Sequence, residues 1–135
     1  MAASSSRGGR ALDRPGYFIA PTVVAGLPEN SRLVQEEPFG PALPILAYDD
    51  EAEALARANA TSFGLSGSVW GPDVSHAAQL AARLEVGTAW VNQHLALDPF
   101  VPFGGAKQSG LGREFSSLGL KSYMEATALH VPAAT

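Results

Sequence analysis

Two segments rich in glycine and proline carry the residue types best suited to binding a ligand. The first, residues 37–41, places the carboxylate of Glu37 close to the aromatic ring of Phe39. The second, residues 102–110, contains Phe103 between a proline and two glycines. Both lie between or beyond strand-like runs, where ligand sites of α/β proteins form. A carboxylate beside a turn can accept hydrogen bonds from sugar hydroxyls, as in many nucleotide sites.

Glu36 and Glu37 are adjacent carboxylates, which raises the question of an acid–base pair. General acid–base catalysis by two carboxylates needs both groups in one site. Neighbouring residues of an extended chain point to opposite sides, so at most one of them can face a pocket. The sequence therefore favours a single hydrogen-bond acceptor over a dyad. A solvated surface carboxylate is the alternative for this motif taken alone.

The glycine-rich segment does not match a phosphate-binding loop. That motif requires Gly-Lys followed directly by Ser or Thr. Here Ala106 separates Gly105 from Lys107, and Gln108 separates Lys107 from Ser109. The sequence therefore disfavours nucleoside triphosphate binding at this segment.

The chain has no cysteine and three histidines. Without cysteine there can be no disulfide, no thiolate metal site and no cysteine nucleophile. The histidines are not spaced as metal ligands, so no metal site is predicted. His94, in a long irregular stretch, is the one histidine placed to line a pocket, with a structural role as the alternative.

Composition indicates a soluble globular protein. The 135 residues are 46% hydrophobic and 16% charged, with a net charge of -4. This balance offers no electrostatic attraction for nucleic acid or an acidic membrane, and no apolar run is long enough to span a bilayer. The expected location is the cytosol, although the first ten residues, which contain Arg and Ser but no acids, leave a mitochondrial location open.

The positions of these residues depend on an alternation of strand and helix patterns. Strands are predicted at residues 42–48, 65–70 and 88–92, with helices at 51–60 and 74–85 between them. The run at 42–48 is almost continuously apolar, as in a strand buried on both faces. This order predicts an α/β fold, a mainly parallel sheet with helices on its faces.

The remaining segments are less regular. Residues 18–24 form a possible edge strand because Pro21 cannot donate to a ladder. Residues 93–112 form a loop, and loops of that length in compact domains are usually functional. Residues 113–123 suggest a short helix broken at Gly119. Residues 124–131 suggest a weak terminal strand whose unpaired edge invites another subunit.

Six segments, in this order, resemble signatures of the NAD(P)-dependent aldehyde dehydrogenase superfamily. They are GYFIAPTVV at 16–24, EEPFGP at 36–41, NATSFGLSGS at 59–68, GTAWVN at 87–92, PFGGAKQSGLGRE at 102–114 and GLKSYME at 119–125. The resemblance covers residues 16–131. The residues before it, 1–14, are predicted from their composition to be a disordered or ragged N-terminal tail. The resemblance implies part of a catalytic and cofactor-contacting region at 15–125, and an oligomerisation strand and tail at 126–135 through which a homo-oligomer would form.

The resemblance also implies a chemistry. In this family a cysteine thiolate attacks an aldehyde, a hydride passes to nicotinamide, and water releases the carboxylic acid. The cysteine, the glutamate that activates water and the asparagine of the oxyanion site all precede the region that matches here. No catalytic residue is therefore assigned, and the chain alone is predicted to be inactive.

The resemblance assigns four residues to parts of the site. Glu37 would bind the nicotinamide-ribose hydroxyls of NAD or NADP, and Phe39 would pack beside the ribose and nicotinamide. Phe103 would line the tunnel of the aldehyde substrate, and residues 93–101, including His94, would form its mouth. The predicted function is part of an enzyme that oxidises aldehydes to carboxylic acids. The alternatives are a non-catalytic dimerisation or interaction module, or a remnant of such an enzyme.

Overall fold

The structure is a computed structural model that describes the backbone of residues 4–133 and the side chains of residues 8–133. The chain divides into two compact units, with the division between Glu51 and Ala52. Seven strands and four helices are present within the described residues. In chain order they are β1 Ser4–Arg7, β2 Thr22–Ala25, α1 Arg32–Gln35, β3 Ala42–Ile45, α2 Glu51–Asn59, β4 Phe63–Gly64, β5 Ser66–Val69, α3 Val74–Ala81, β6 Thr88–Val91, β7 Ala106–Lys107 and α4 Ser116–Lys121.

The first unit is built on a three-stranded sheet with the order β1–β2–β3. Strand β2 pairs antiparallel with β1 and parallel with β3, in a register that joins Thr22 to Ala42. The predicted edge strand at 18–24 is therefore wrong in position. The strand begins after Pro21 and lies in the middle of the sheet, so the proline stays outside the ladder. Strand β1 falls within the segment predicted as an N-terminal tail.

Strand β3 is not buried on both faces, contrary to the prediction for residues 42–48. Its side chains alternate between half-buried and exposed positions, with Leu43 and Ile45 on the exposed side. The strand is also shorter than predicted and ends at Ile45. Leu43 and Ile45 therefore form an apolar face of β3 that the other described residues do not cover.

The second unit contains a strand–helix–strand unit made of β5, α3 and β6. The two strands pair in parallel, from Ser66 opposite Thr88 to Val69 opposite Val91. Helix α3 begins after Asp73, whose carboxylate caps the helix by accepting the backbone N–H of His76 at 3.0 Å. Ala77 and Ala81, four residues apart, are buried in the core with Trp90. The predicted α/β class, with parallel strands and helices, is confirmed, although the parallel pairs belong to two separate sheets.

The region after β6 is largely irregular, as predicted, but it contains the short strand β7, which pairs antiparallel with β4. Helix α4 runs through Gly119 without a break, so the predicted interruption is wrong. A Cβ at Gly119 would lie 2.8 Å from the carbonyl carbon of Glu114, which explains the glycine by close packing. Residues 124–133 contain no strand in this single chain, and their predicted pairing needs a partner.

A search of the described residues finds neither a helix long and apolar enough to cross a membrane nor a group of three or more potential metal-binding side chains.

Candidate functional site

The structure distinguishes the two adjacent carboxylates of the first unit. Glu36 follows α1 and accepts three hydrogen bonds from Arg32, two from Nε, to Oε1 at 2.9 Å and to Oε2 at 3.1 Å, and one from Nη2 to Oε2 at 2.8 Å. The backbone of Glu36 is extended. Among the residues that the structure describes, Glu37 has no hydrogen-bond or ion-pair partner. The pair is therefore not a dyad, and Glu37 is the carboxylate left available for a ligand.

The ion pair affects the titration of Glu36. The hydrogen bonds from Arg32 lower the pKa of Glu36 below its ordinary value. Because a carboxylate with a lowered pKa stabilises the fold only while ionised, its contribution is present above the ordinary pKa and is lost as the pH falls through the lowered value. Both side chains are exposed, so the effect on overall stability is small.

Substituting Arg32→Gln is expected to raise the pKa of Glu36 towards its ordinary value, because the guanidinium that favours the ionised form is removed. The titration of the Glu36 side chain, followed by nuclear magnetic resonance, measures this directly. Arg14→Gln is the control, since Arg14 lies over the Phe18 ring at 3.6 Å. An unchanged Glu36 pKa in Arg32→Gln would show that the pair does not form in solution.

Phe39 is presented by a tight turn two residues after Glu37. The N–H of Gly40 donates to the carbonyl of Pro38 at 3.0 Å, and the N–H of Ala42 donates to the carbonyl of Gly40 at 2.8 Å. The ring itself is 98% exposed. The exposed Phe39 ring offers a flat apolar surface, and the unpartnered Glu37 carboxylate offers a hydrogen-bond acceptor. A nucleoside requires both features.

In the second unit, Trp90 brings together the two predicted tunnel residues. The Trp90 ring stacks on Phe103 with the ring centroids 6.5 Å apart, and the His94 ring meets it edge-on at 5.3 Å. The indole N–H donates to the carbonyl of Ala96 at 2.9 Å. Trp90 is 6% exposed. Sequence reasoning assigned no role in the site to Trp90 and missed that it contacts the loop carrying His94.

Phe103 is also held by backbone contacts on both sides. Its N–H and carbonyl pair with Glu114 at 2.9 and 2.7 Å. The next residue, Gly104, passes so close to Gly87 that a Cβ at Gly87 would overlap the Gly104 carbonyl oxygen. The position of the Phe103 ring is therefore set by Trp90 in β6, by Gly87 just before that strand, and by Glu114, which precedes α4.

Lys107 fastens the glycine-rich segment to the end of α2. Its ammonium donates to the carbonyl of Asn59 at 2.6 Å and pairs with the Glu85 carboxylate at 2.9 Å. The Asn59 side chain in turn bonds the carbonyl of Arg83 and the N–H of Glu85, both at 2.9 Å. The Lys107 ammonium is therefore engaged in contacts within the fold. The sequence around it does not match a phosphate-binding loop.

A cavity of about 400 Å³ opens beside Phe103. Its wall includes the glycine-rich segment, Arg113 and Tyr123. The Arg113 guanidinium donates through Nη1 to the carbonyls of Gly105 and Gly112, each at 2.8 Å. The volume lies in the range of small-molecule sites, and the fixed backbone of the segment gives the cavity a defined wall.

Comparison with known proteins matches residues 2–129 to the aldehyde dehydrogenase family. Betaine aldehyde dehydrogenase from Rhizobium leguminosarum bv. trifolii is 47% identical over 116 residues, which are 86% of this chain and 24% of that protein. The NAD+ complex of an aldehyde dehydrogenase from Bacillus cereus has a TM-score of 0.86 and 39% identity, covering 91% of this chain and 25% of that one.

The NAD+ complex of betaine aldehyde dehydrogenase from Staphylococcus aureus has a TM-score of 0.84 and 38% identity, covering 90% of this chain. The chain therefore spans about a quarter of the length of the proteins it matches. The family match extends over nearly all of its residues, including both loops described above. On these grounds the chain belongs to the aldehyde dehydrogenase family.

Proposed function

We propose that this chain supplies part of the NAD(P)+ site and part of the aldehyde tunnel of an enzyme that oxidises an aldehyde to a carboxylic acid. The observation that carries this proposal is the free Glu37 carboxylate beside the exposed Phe39 ring, in a chain of this family. The two similar structures, from Staphylococcus aureus and Bacillus cereus, are NAD+ complexes, which supports a dinucleotide as the ligand.

In this proposal the residues of the first unit hold the nicotinamide end of the dinucleotide. The Glu37 carboxylate accepts hydrogen bonds from the ribose hydroxyls, and such charge-assisted bonds are short and directional. The Phe39 ring packs against the ribose and nicotinamide. The bound dinucleotide supplies the hydride acceptor, and these two residues position it, which matters because small misplacements slow hydride transfer.

In the second unit, Phe103 and the loop at 93–101, with His94, form the wall and mouth of the tunnel. Trp90 contacts both, with ring centroids 6.5 Å from Phe103 and 5.3 Å from His94. The 135 residues contain no cysteine, and covalent attack on an aldehyde by a thiolate needs one. We therefore propose that the nucleophile comes from outside these residues.

A hybrid enzyme tests the proposal. It consists of the Staphylococcus aureus betaine aldehyde dehydrogenase with its matching quarter replaced by this chain. The hybrid is expected to form NADH from NAD+ and an aldehyde, whereas the purified 135-residue polypeptide is expected to form none. NADH production by the isolated polypeptide would contradict the assignment of the nucleophile, and a folded hybrid that never turns over would contradict the proposed function.

Glu37→Gln in the hybrid is expected to lower kcat/KM for NAD+ by about tenfold or more, since a hydrogen bond to a charged group contributes roughly 1.5–3 kcal/mol. Steady-state kinetics measure this, with the melting temperature as a check on folding. Glu36→Gln is the matched control, because its carboxylate is held by Arg32. Equal kinetics for the two variants would remove Glu37 from the site.

The C-terminal segment, residues 124–133, supports a second proposed function, which is oligomer assembly. Leu129 and Val131 are exposed, and residues 124–133 pair with no strand among the residues that the structure describes. We propose that residues 127–131 add a strand to another copy of the protein, giving a homo-oligomer. Deleting these residues from the hybrid is expected to reduce its mass measured by light scattering to that of a smaller assembly, and an unchanged mass would exclude this contact.

A further inference from the structure

We propose that Asn92 is a positioning residue, which fixes the start of the loop at residues 93–101 to the end of β5. The inference rests on the proposed function, in which that loop forms the mouth of the aldehyde tunnel. In this role Asn92 acts through the loop and not on the aldehyde or the dinucleotide. The argument depends on the backbone of Asn92, on the two hydrogen bonds of its side chain and on the contacts of the loop after it.

Asn92 is the first residue after β6, at the carboxyl end of the parallel pair formed by β5 and β6. Its N–H donates to the carbonyl of Val69 at 2.9 Å, so its backbone is still joined to β5. Its φ is 51°, in the left-handed region, which asparagine tolerates better than most other residues with a side chain. An extended strand cannot continue through such a residue. The chain therefore changes direction at Asn92.

The side chain of Asn92 joins this change of direction to the neighbouring strand. Its Oδ1 accepts the N–H of Gly71 at 2.8 Å, and its Nδ2 donates to the carbonyl of Gly71 at 2.8 Å. Gly71 lies two residues after the end of β5. The carboxamide thus pairs with both backbone groups of one residue, which requires a donor and an acceptor on the same side chain.

The loop after Asn92 lies against β6 through its first residues. The His94 ring packs edge-on against Trp90 with the ring centroids 5.3 Å apart, and the Ala96 carbonyl accepts the Trp90 indole N–H at 2.9 Å. Leu95, between these two contacts, has a second left-handed backbone, with φ of 55°. Trp90 can meet both residues only if the chain leaves β6 in a defined direction, and the two bonds to Gly71 set that direction.

A second carboxamide of the same unit provides a comparison. Asn59 also bridges two backbone groups, the carbonyl of Arg83 and the N–H of Glu85, both at 2.9 Å. It does so between α3 and β6, at the opposite end of β6 from Asn92. If Asn92 served only to stabilise the fold, loss of either carboxamide would have the same consequences for the loop at 93–101.

Asn92→Gly in the 135-residue protein tests the first step, because it removes the carboxamide and keeps a residue that adopts positive φ without strain. The Trp90 indole N–H, followed by nuclear magnetic resonance, reports directly on the contact with Ala96. Its hydrogen exchange is expected to become roughly fivefold faster or more, relative to the backbone N–H of Ala77 in α3, from the loss of at least one hydrogen bond. Asn59→Ala is the matched control and should leave this ratio unchanged.

Asn92→Asp is the second variant, which tolerates the left-handed backbone and keeps an acceptor for the Gly71 N–H but has no donor for the Gly71 carbonyl. Its indole exchange is expected to lie between those of the unchanged chain and Asn92→Gly. This variant decides the question if Asn92→Gly does not fold. Indole exchange no faster in the Asn92 variants than in Asn59→Ala would overturn the inference.

The whole-chain hybrid described above tests the second step. Asn92→Gly is expected to lower kcat/KM for betaine aldehyde on the order of tenfold, because misplacement of a substrate-positioning segment is costly, and to leave kcat/KM for NAD+ within about twofold. A loss of general stability would not separate the two substrates. Faster indole exchange with unchanged aldehyde kinetics would overturn the inference, although NADH formation by the hybrid would leave the proposed function standing. A folded hybrid that forms no NADH would overturn the proposed function, and the indole exchange would still show whether Asn92 fixes the loop.

Discussion

Replacing Gly87 with alanine is expected to destabilise the second unit by about 3 kcal/mol, near the upper end for overpacking a core. The new Cβ would overlap the carbonyl oxygen of Gly104 and would lie 2.6 Å from its carbonyl carbon. These are backbone atoms, which cannot rotate away as a side chain can. Gly87 cannot retreat either, because its N–H donates to the carbonyl of Gly64 at 2.9 Å.

Gly112→Ala is the matched control for Gly87→Ala. Gly112 also lies in the second unit, but its Cβ would have no atom within 4 Å. Neither glycine has a left-handed backbone, so the comparison isolates the close contact from conformational effects. Denaturant unfolding followed by circular dichroism gives the free energies. A difference between the two variants below about 0.5 kcal/mol, the range of ordinary surface changes, would show that the two backbones do not pass this closely.

Helices α2 and α3 could be predicted from sequence because their signals are local. The helices predicted at residues 51–60 and 74–85 correspond to Glu51–Asn59 and Val74–Ala81 in the structure. Apolar spacing of three and four, with an acidic residue before the first turn, is contained in a few adjacent residues. The position of β2 in its sheet was missed, because it depends on strand β1, whose segment offers no apolar pattern.

Part of the candidate site was visible in sequence and part was not. The spacing of Arg32 and Glu36, four residues apart, is the usual signal for an ion pair on a helix and would have assigned Glu37 as the free carboxylate. The role of Lys107 has no such signal. Its partners are the carbonyl of Asn59 and the carboxylate of Glu85, 48 and 22 residues earlier in the chain. Contacts to distant backbone atoms leave no trace in residue type.

Trp90→Ala is expected to destabilise the second unit by about 4 kcal/mol, as for other large-to-small changes of buried aromatic residues. It removes the stack on Phe103, the edge contact with His94 and the hydrogen bond to Ala96. Trp90→Phe keeps an aromatic ring but removes the N–H, and should cost about 1–2 kcal/mol by leaving the Ala96 carbonyl unpaired. Denaturant unfolding of the two variants separates the packing contribution from the hydrogen bond.

Trp70→Ala is the control for Trp90→Ala, since Trp70 is exposed and its indole N–H bonds only the neighbouring Ser68 hydroxyl. The comparison also tests how the site is positioned. If Trp90 joins the core to the loop at 93–101, Trp90→Phe should increase hydrogen exchange at the backbone of Phe100 and Val101 while the helix α3 amides stay protected. Equal losses of stability for Trp90→Ala and Trp70→Ala would mean that this loop is held by something other than the Trp90 indole.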